Sequence, residues 1–248
     1  MRMTTPSLSS ADLALLRQYD TPTICNVIEL FSVRTRTDGY MDRRIRACFP
    51  EMPAVVGYAS TATIRTALPR AEGSSYKSLD EQVQAFEVLP GPPIVVFQDL
   101  DDPPAAATFG EIMCATYQAF GAVALITSGA ARDLDQVRRL HFPAFSNGVI
   151  CSHGYSRTLA INEPIHVGGL GVYPGDLLHA DANGATSIPH EIASEVAHAA
   201  GEYVAAEAVI LDYVKAGSPD PERFAQVRQE FMRRIAELGE RVGRRAGS

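Results

Sequence analysis

Arg132 and Asp133 close the stretch Ser128-Gly129-Ala130-Ala131-Arg132-Asp133. A guanidinium is a fixed fork for a carboxylate or an enolate, and a carboxylate is a hard oxygen ligand for a cation. Gly129 allows the backbone a close approach. The stretch follows the apolar run Ala122 to Ile126 and precedes the helix-like segment Leu134 to Leu140, so it reads as a turn at the carboxyl end of a buried strand. Ligands bind at that end of open α/β sheets. The plainer alternatives are a surface ion pair, or Asp133 acting as the cap of the next helix.

A second stretch of the same kind is Phe109-Gly110-Glu111, which opens a helix over Ile112 to Phe120. The amides around Gly110, Glu111, Ile112, Met113 and Cys114 then lie at a helix N-terminus, which attracts anions. A carboxylate can bind there without a side-chain donor. Equally, Gly110 can simply make a turn while water satisfies the amides.

Other chemistries find little support. Gly168-Gly169-Leu170-Gly171 is not a dinucleotide fingerprint, and no phosphate-cradling G-x-x-x-x-G-K-[ST] occurs. The six histidines contain no H-E-x-x-H and no i, i+4 pair, and neither Ser128 nor Ser152-His153 sits in a G-x-S-x-G elbow. Lys77 and Lys215 are the only lysines, and neither lies in the apolar setting a Schiff-base lysine needs. Cys25, Cys48, Cys114 and Cys151 form no C-x-x-C pair, so buried reduced thiols are expected, without disulfides or zinc.

The elements that must position these residues can be traced along the chain. The 248 residues, 46% hydrophobic and 21% charged, suffice for a full core. A net charge of −7 argues against an extended nucleic-acid surface, although Arg233, Arg234, Arg241, Arg244 and Arg245 make the C-terminus locally basic. No apolar run approaches the ~20 residues of a membrane span, and Met1 to Ser10 lacks a signal-peptide core, so no membrane association is expected and the location expected is cytoplasmic. Helices are expected over Ala11 to Tyr19 and from Thr21-Pro22, with Ile24, Val27, Ile28 and Phe31 on the core face. Arg34 to Pro53 reads as a connector, Val55 to Thr66 as a strand, Ser78 to Glu81 as a capping box, and Pro93 to Phe97 as a buried strand. Beyond residue 143 come short strands, including Gly148 to Cys151, and a hairpin turning at Asn183-Gly184. Helices close the chain, one opened by Pro189 and running to Lys215, another over Pro221 to Leu238.

Taken in order, Phe109-Gly110-Glu111-Ile112-Met113-Cys114-Ala115, the S-G-A-A-R-D turn, Phe142-Pro143-Ala144-Phe145, Pro164 to Gly169, Pro174-Gly175-Asp176 and Asp181-Ala182-Asn183-Gly184 resemble the RraA-like family from about Thr21 to Ile192. That family includes the 4-hydroxy-4-methyl-2-oxoglutarate aldolases. The resemblance implies an α/β fold, a layered swivelling β/β/α domain with N- and C-terminal helical extensions. One domain over 1–248 is expected, with N-terminal helices in 1–33, the core in 55–188 and C-terminal helices in 189–248. It implies a homo-oligomer, a trimer or a dimer of trimers, and a divalent metal, magnesium or manganese.

Site roles follow from the same resemblance. Asp133 matches the direct metal ligand, Arg132 the residue that binds substrate and steadies an enolate oxygen, and Glu111 an acidic position that reaches the metal through water. The amides of Gly110 to Cys114 match those that hold a pyruvyl carboxylate. Glu207 matches a glutamate lent through water to the neighbouring subunit's metal. The implied reaction is cleavage of a 4-hydroxy-2-oxo acid to pyruvate, or decarboxylation of oxaloacetate, and both leave a pyruvate enolate that needs positive charge. A metal-linked water positioned by Glu111 is the base expected for the C4 hydroxyl. Asn147 replaces a frequent arginine and Ser152-His153-Gly154-Tyr155 a proline-containing segment, so the acceptor half of the substrate stays open. Some members of the family are instead non-catalytic regulators that bind RNase E, and a related metal-dependent enzyme acting on another oxo acid is a further alternative.

Overall fold

The computed structural model describes residues 8–73, 75–217 and 219–243, so Arg244 and Arg245 lie outside the described residues. The chain begins with α1 (Ser10–Leu16) and α2 (Thr21–Leu30), whose caps Ser9 and Asp20 accept from the Asp12 and Thr23 amides. The first helix stops three residues short of Tyr19 because Asp20 must be extended to cap the second. There follow β1 (Arg46–Ala47), β2 (Val55–Arg65), α3 (Leu79–Gln84), β3 (Pro93–Asp99), β4 (Ala107–Phe109), α4 (Glu111–Ala119), β5 (Ala124–Thr127), β6 (Ala130–Ala131), α5 (Leu134–Arg139) and β7 (Ala144–Ser146). Then come β8 (Arg157–Ile161), the hairpin β9 (Ile165–Val167) and β10 (Leu170–Val172), the hairpin β11 (Leu177–Asp181) and β12 (Gly184–Ile188), α6 (Ala193–Lys215) and α7 (Pro221–Val242).

The main sheet runs β1-β7-β5-β3-β2-β11-β12, with β8 on the far half of β2. Its centre, β2, β3, β5 and β7, is parallel, and the flanking pairs are antiparallel. Parallel strands are buried on both faces, and the alternation in β3 shows it. Ile94 and Val96 pack with Met41, Ile45 and the β9–β10 hairpin, whereas Val95 and Phe97 pack with Tyr117, Val137 and Phe142 of the α4–α5 layer. A third cluster joins α1, α2, α6 and α7 to β2 and β11, and contains all four predicted core residues of α2. This is the α/β fold with terminal helices.

Several expectations need correction. Gly148 to Cys151 is not a strand: Val149 makes a single bridge to Ala131, because this segment runs past the two-residue β6 rather than along the main sheet. The Arg34 to Pro53 connector contains β1, and β4, β6 and β8 carried no strand signal. The β11–β12 turn is Ala182-Asn183, since Asp181 pairs with Gly184, whose positive φ of 124° follows the turn instead of forming it. Pro189 precedes a short 3-10 turn, and the α-helix starts at Ala193. Cys151 is exposed, unlike the buried Cys114.

Candidate functional site

β4 and β6 form a small parallel pair outside the main sheet, and they position the site. β4 ends at Gly110, the cap of α4, and β6 ends at Arg132-Asp133, the entry to α5. Arg132 N–H donates to Phe109 O at 3.2 Å, which ties the two ends together. On its other side β6 is held by the 147–150 segment: Asn147 N–H donates to Gly129 O, Ala131 N–H to Gly148 O, and Ile150 N–H to Ala131 O, at 2.8, 2.9 and 3.0 Å.

Asp133 occupies the cap position of α5 but does not cap it with its side chain. Its backbone is left-handed, with φ 56° and ψ 39°, instead of the extended conformation a capping residue uses. The carboxylate is turned toward α4, where Oδ2 accepts from Glu111 N–H at 3.1 Å. Arg132 Nε stands 4.0 Å from the same oxygen, and both side chains are about one-third exposed. A Cβ on Gly110 would lie 2.4 Å from Asp133 Oδ2 and 3.1 Å from Arg132 Nε. Gly110 has φ −152°, which any residue can adopt, so glycine is required here for space.

Of the five amides expected to hold an anion, two already have acceptors. Glu111 N–H serves Asp133, and Cys114 N–H makes the first helical bond to Gly110 O. The N–H groups of Gly110, Ile112 and Met113 have no acceptor among the described residues. Gly110, Ile112, Met113 and Arg132 line one cleft together with His153 and Ser156, with a volume of about 60 Å³. A larger cleft of about 550 Å³ lies at the opposite ends of the parallel strands, beside Val55, Val123 and Pro143, away from these groups.

His153 is a residue whose place the sequence did not reveal. Its Nδ1 lies 2.8 Å from Gly154 O, so that nitrogen is a donor, and in the neutral imidazole Nε2 is then the acceptor. The substitution of Ser152-His153 into a segment that usually holds proline was the signal available. Glu207 is not brought to the cleft within one chain. It stands on α6, which packs on α1, α2 and α7, and burial raises its carboxyl, with the Asp20 charge adding to the rise.

The donor set suits a hard divalent cation. Among the described residues no three His, Cys, Asp or Glu side chains gather as a metal cage, whereas magnesium is commonly held by one or two carboxylates plus water and substrate. Asp133 Oδ1 accepts no hydrogen bond from the described residues, and the exposed Glu111 carboxylate begins the facing helix.

The RraA-like sequence family, described as aldolase/RraA, matches residues 21–186. A Halalkalibacterium halodurans protein provisionally named a 4-hydroxy-4-methyl-2-oxoglutarate aldolase is 28% identical over 184 residues, 73% of this chain and 80% of that protein. Protein DlpA of Legionella pneumophila is 30% identical over 90 residues, 36% of this chain, and the match spans only 15% of DlpA. Among solved structures, an uncharacterized protein of Pseudomonas syringae pv. tomato superposes with a TM-score of 0.72 at 21% identity, over 92% of this chain and 98% of that one. Streptomyces coelicolor RraAS2, an unusual member of the RNase ES inhibitor RraA protein family, gives 0.63 at 21% identity, over 80% and 94%. Both structures share the fold of this chain. Because the family match takes in both strand ends of the cleft and the greater part of the sheet, the chain belongs to the RraA-like family.

Proposed function

We propose that the chain is a divalent-metal-dependent lyase that cleaves a 4-hydroxy-2-oxo acid, of the 4-hydroxy-4-methyl-2-oxoglutarate type, to pyruvate, and that the same site decarboxylates oxaloacetate. The observation that carries this reading is the meeting of three free amides and a guanidinium in one cleft, with the Asp133 carboxylate, one oxygen of which is uncommitted, beside Gly110 and Glu111. The amides of Gly110, Ile112 and Met113 would bind the pyruvyl carboxylate. Arg132 would bind the 2-oxo oxygen and stabilise it as negative charge develops there. Asp133 would hold magnesium or manganese directly and Glu111 through water, and the bound ion would supply further positive charge beside the enolate. Removal of the C4 hydroxyl proton falls to water positioned by Glu111 or to His153 Nε2, which the bond to Gly154 O leaves free to accept.

One chain does not complete this site. A cleft of about 60 Å³ has room for about two waters, each with a share of liquid volume of about 30 Å³. Ile112, which lines it, is 77% exposed, and Val149, bridged to β6, is 61% exposed, so apolar surface is left open on this side of the chain. A homo-oligomer, a trimer or a dimer of trimers, would cover that surface and bring Glu207 of a neighbouring copy toward the metal's water shell.

The test is a screen for pyruvate release over 4-hydroxy-2-oxo acids and oxaloacetate, with magnesium and with chelator. Turnover that requires the ion supports the reading. Full turnover in chelator, or none on any substrate, overturns it. In the second case the remaining family role, a non-catalytic regulator binding RNase E, is examined by direct binding.

A further inference from the structure

Asp99 ends β3 and lies behind the start of the reactive turn. Its N–H donates to Ser128 Oγ at 2.9 Å, and Ser128 N–H donates to Phe97 O at 3.1 Å. Asp99 Oδ1 accepts from Asp101 N–H at 3.0 Å. Oδ2 has no hydrogen-bond partner among the described residues, although Asp99 is only 7% exposed. This oxygen packs against Gly129. A Cβ at that position would stand 2.7 Å from it and 2.0 Å from Thr108 Oγ1, which is why the turn contains glycine there. Thr108 belongs to β4, and its hydroxyl accepts from Thr127 Oγ1 at 3.1 Å, which itself accepts from Gly129 N–H at 2.9 Å. Asp99, Thr108, Thr127 and Gly129 thus form one buried node. From it β4 runs to Gly110 and β6 to Arg132-Asp133.

An ionised carboxylate oxygen in this place is costly, because nothing replaces its lost water. A polar cavity of about 270 Å³ adjoins the node, and Asp99 forms part of its wall with Gln98, Ser128 and Asn147. We propose that Asp99 is the positioning residue of the reactive turn: as a neutral acid it fills the space against Gly129 and holds β6 to β4, and as a carboxylate it loosens the node and turns toward the cavity. The groups facing it are Arg65 at the end of β2, Asp101 and Asp102 in its own loop, and Arg44 and His166 across the cavity. Burial pushes the Asp99 carboxyl up to about 6, the Asp101 N–H pulls it down, the Asp101 charge adds to the rise and Arg65 opposes it. The linkage sign follows: between the ordinary carboxylate value and about 6 the native chain holds a proton that the unfolded chain has released, so this contribution to stability declines as pH rises through that window.

The test is amide hydrogen exchange by mass spectrometry on the full chain, from pH 5 to pH 8, with rates corrected for intrinsic exchange. Wild type, Asp99→Asn, which matches the neutral acid in shape, and Asp99→Ala are compared over segments 107–111 and 128–133, with β3 as reference. Wild-type protection in both segments is expected to fall by up to about tenfold per pH unit above pH 6, or about 30-fold by pH 7.5, while β3 stays protected. Asp99→Asn should stay protected throughout, and Asp99→Ala should exchange fast at every pH. A wild-type profile that is flat, or one that Asp99→Asn reproduces, overturns the proposal, and so does full protection in Asp99→Ala. Should the alanine variant not fold, the asparagine comparison decides. The bearing of this node on turnover rests on the functional reading above, but the exchange result does not: a chain without lyase activity would sink that reading and leave this comparison standing.

Discussion

Substituting Gly110 by alanine should separate the integrity of the fold from the integrity of the site. The new Cβ would stand 2.4 Å from Asp133 Oδ2, 3.1 Å from Arg132 Nε and 3.3 Å from Arg132 Cγ. Non-bonded atoms rest near about 3.5 Å, so the carboxylate must retreat by about 1 Å and its 3.1 Å bond from Glu111 N–H is lost. A hydrogen bond to a charged group is worth about 1.5–3 kcal/mol. Asp133 is about one-third exposed, however, and water recovers most of that, leaving about 1 kcal/mol. Gly110 has φ −152°, which alanine adopts without strain, and the change stiffens the unfolded chain by about 0.4–1 kcal/mol in the opposite sense. The net effect on stability is close to zero. The effect on chemistry is not, because a misplacement of about 1 Å in a reacting constellation costs about 100-fold in rate. Thermal melts and pyruvate release at saturating magnesium measure the two effects side by side. Gly171→Ala, at a site where a Cβ meets nothing within 4 Å, is the control. Turnover within threefold of wild type would refute the placement of Asp133 in the reaction. A melting temperature lowered by more than about 10 °C, a loss of about 2.5–5 kcal/mol at this chain length, would make Gly110 a structural glycine instead.

Four further outcomes are expected. His153→Gln should slow cleavage of a 4-hydroxy-2-oxo acid while sparing oxaloacetate decarboxylation, which removes no hydroxyl proton; equal slowing in steady-state kinetics would assign His153 to binding or shape. His179 is buried neutral, with Nδ1 2.9 Å from Thr21 Oγ1 and Nε2 3.2 Å from Leu16 O, and burial holds it below the ordinary histidine value, so the unfolded chain protonates first and stability should fall as pH drops below about 6.5; urea midpoints at pH 7.5 and 5.5 should differ more in wild type than in His179→Gln. Asp133→Gly should be more stable than Asp133→Ala by about 1 kcal/mol, because only glycine relieves the left-handed backbone, while both lose metal-dependent turnover; equal denaturation midpoints would contradict the assigned strain. Asp133→Ala and Glu207→Ala chains should each be poorly active, and mixed oligomers of the two should exceed the sum of their parts; verified mixed oligomers without that recovery would remove Glu207 from the site.

What could be read from the sequence was whatever repeats over a turn or a strand. Ile24, Val27, Ile28 and Phe31 recur at helical spacing, and all four are in the core. The run before the reactive turn alternates sides as a doubly buried strand should: Ala124 and Ile126 enter one cluster and Leu125 the other. By contrast β4 and β6 are three and two residues long, too short to establish any period, and β8 is half-buried along most of its length. The turn residues showed the same division. Gly129 was legible as a place of close approach, but the groups that approach, Asp99 and Thr108, lie 30 and 21 residues away in the chain. The acceptor role of Asp133 toward Glu111 spans 22 residues and leaves no local pattern.

That last contact explains why local preference misreads Asp133. An aspartate before a helix ordinarily satisfies the orphan amides of that helix, which contributes about 1 kcal/mol. Here α5 forgoes the side-chain cap, and a non-glycine residue takes a left-handed backbone at a cost of about 1–2 kcal/mol. The surroundings impose the conformation: Arg132 N–H is fixed to Phe109 O before it, and Val137 N–H to Asp133 O after it. The gain visible in one chain is a single bond of 3.1 Å at a partly exposed site, which does not offset both terms. A left-handed backbone that directs a carboxylate away from its own helix, toward Gly110 and Glu111 and beside a guanidinium, fits the metal-holding role proposed for Asp133.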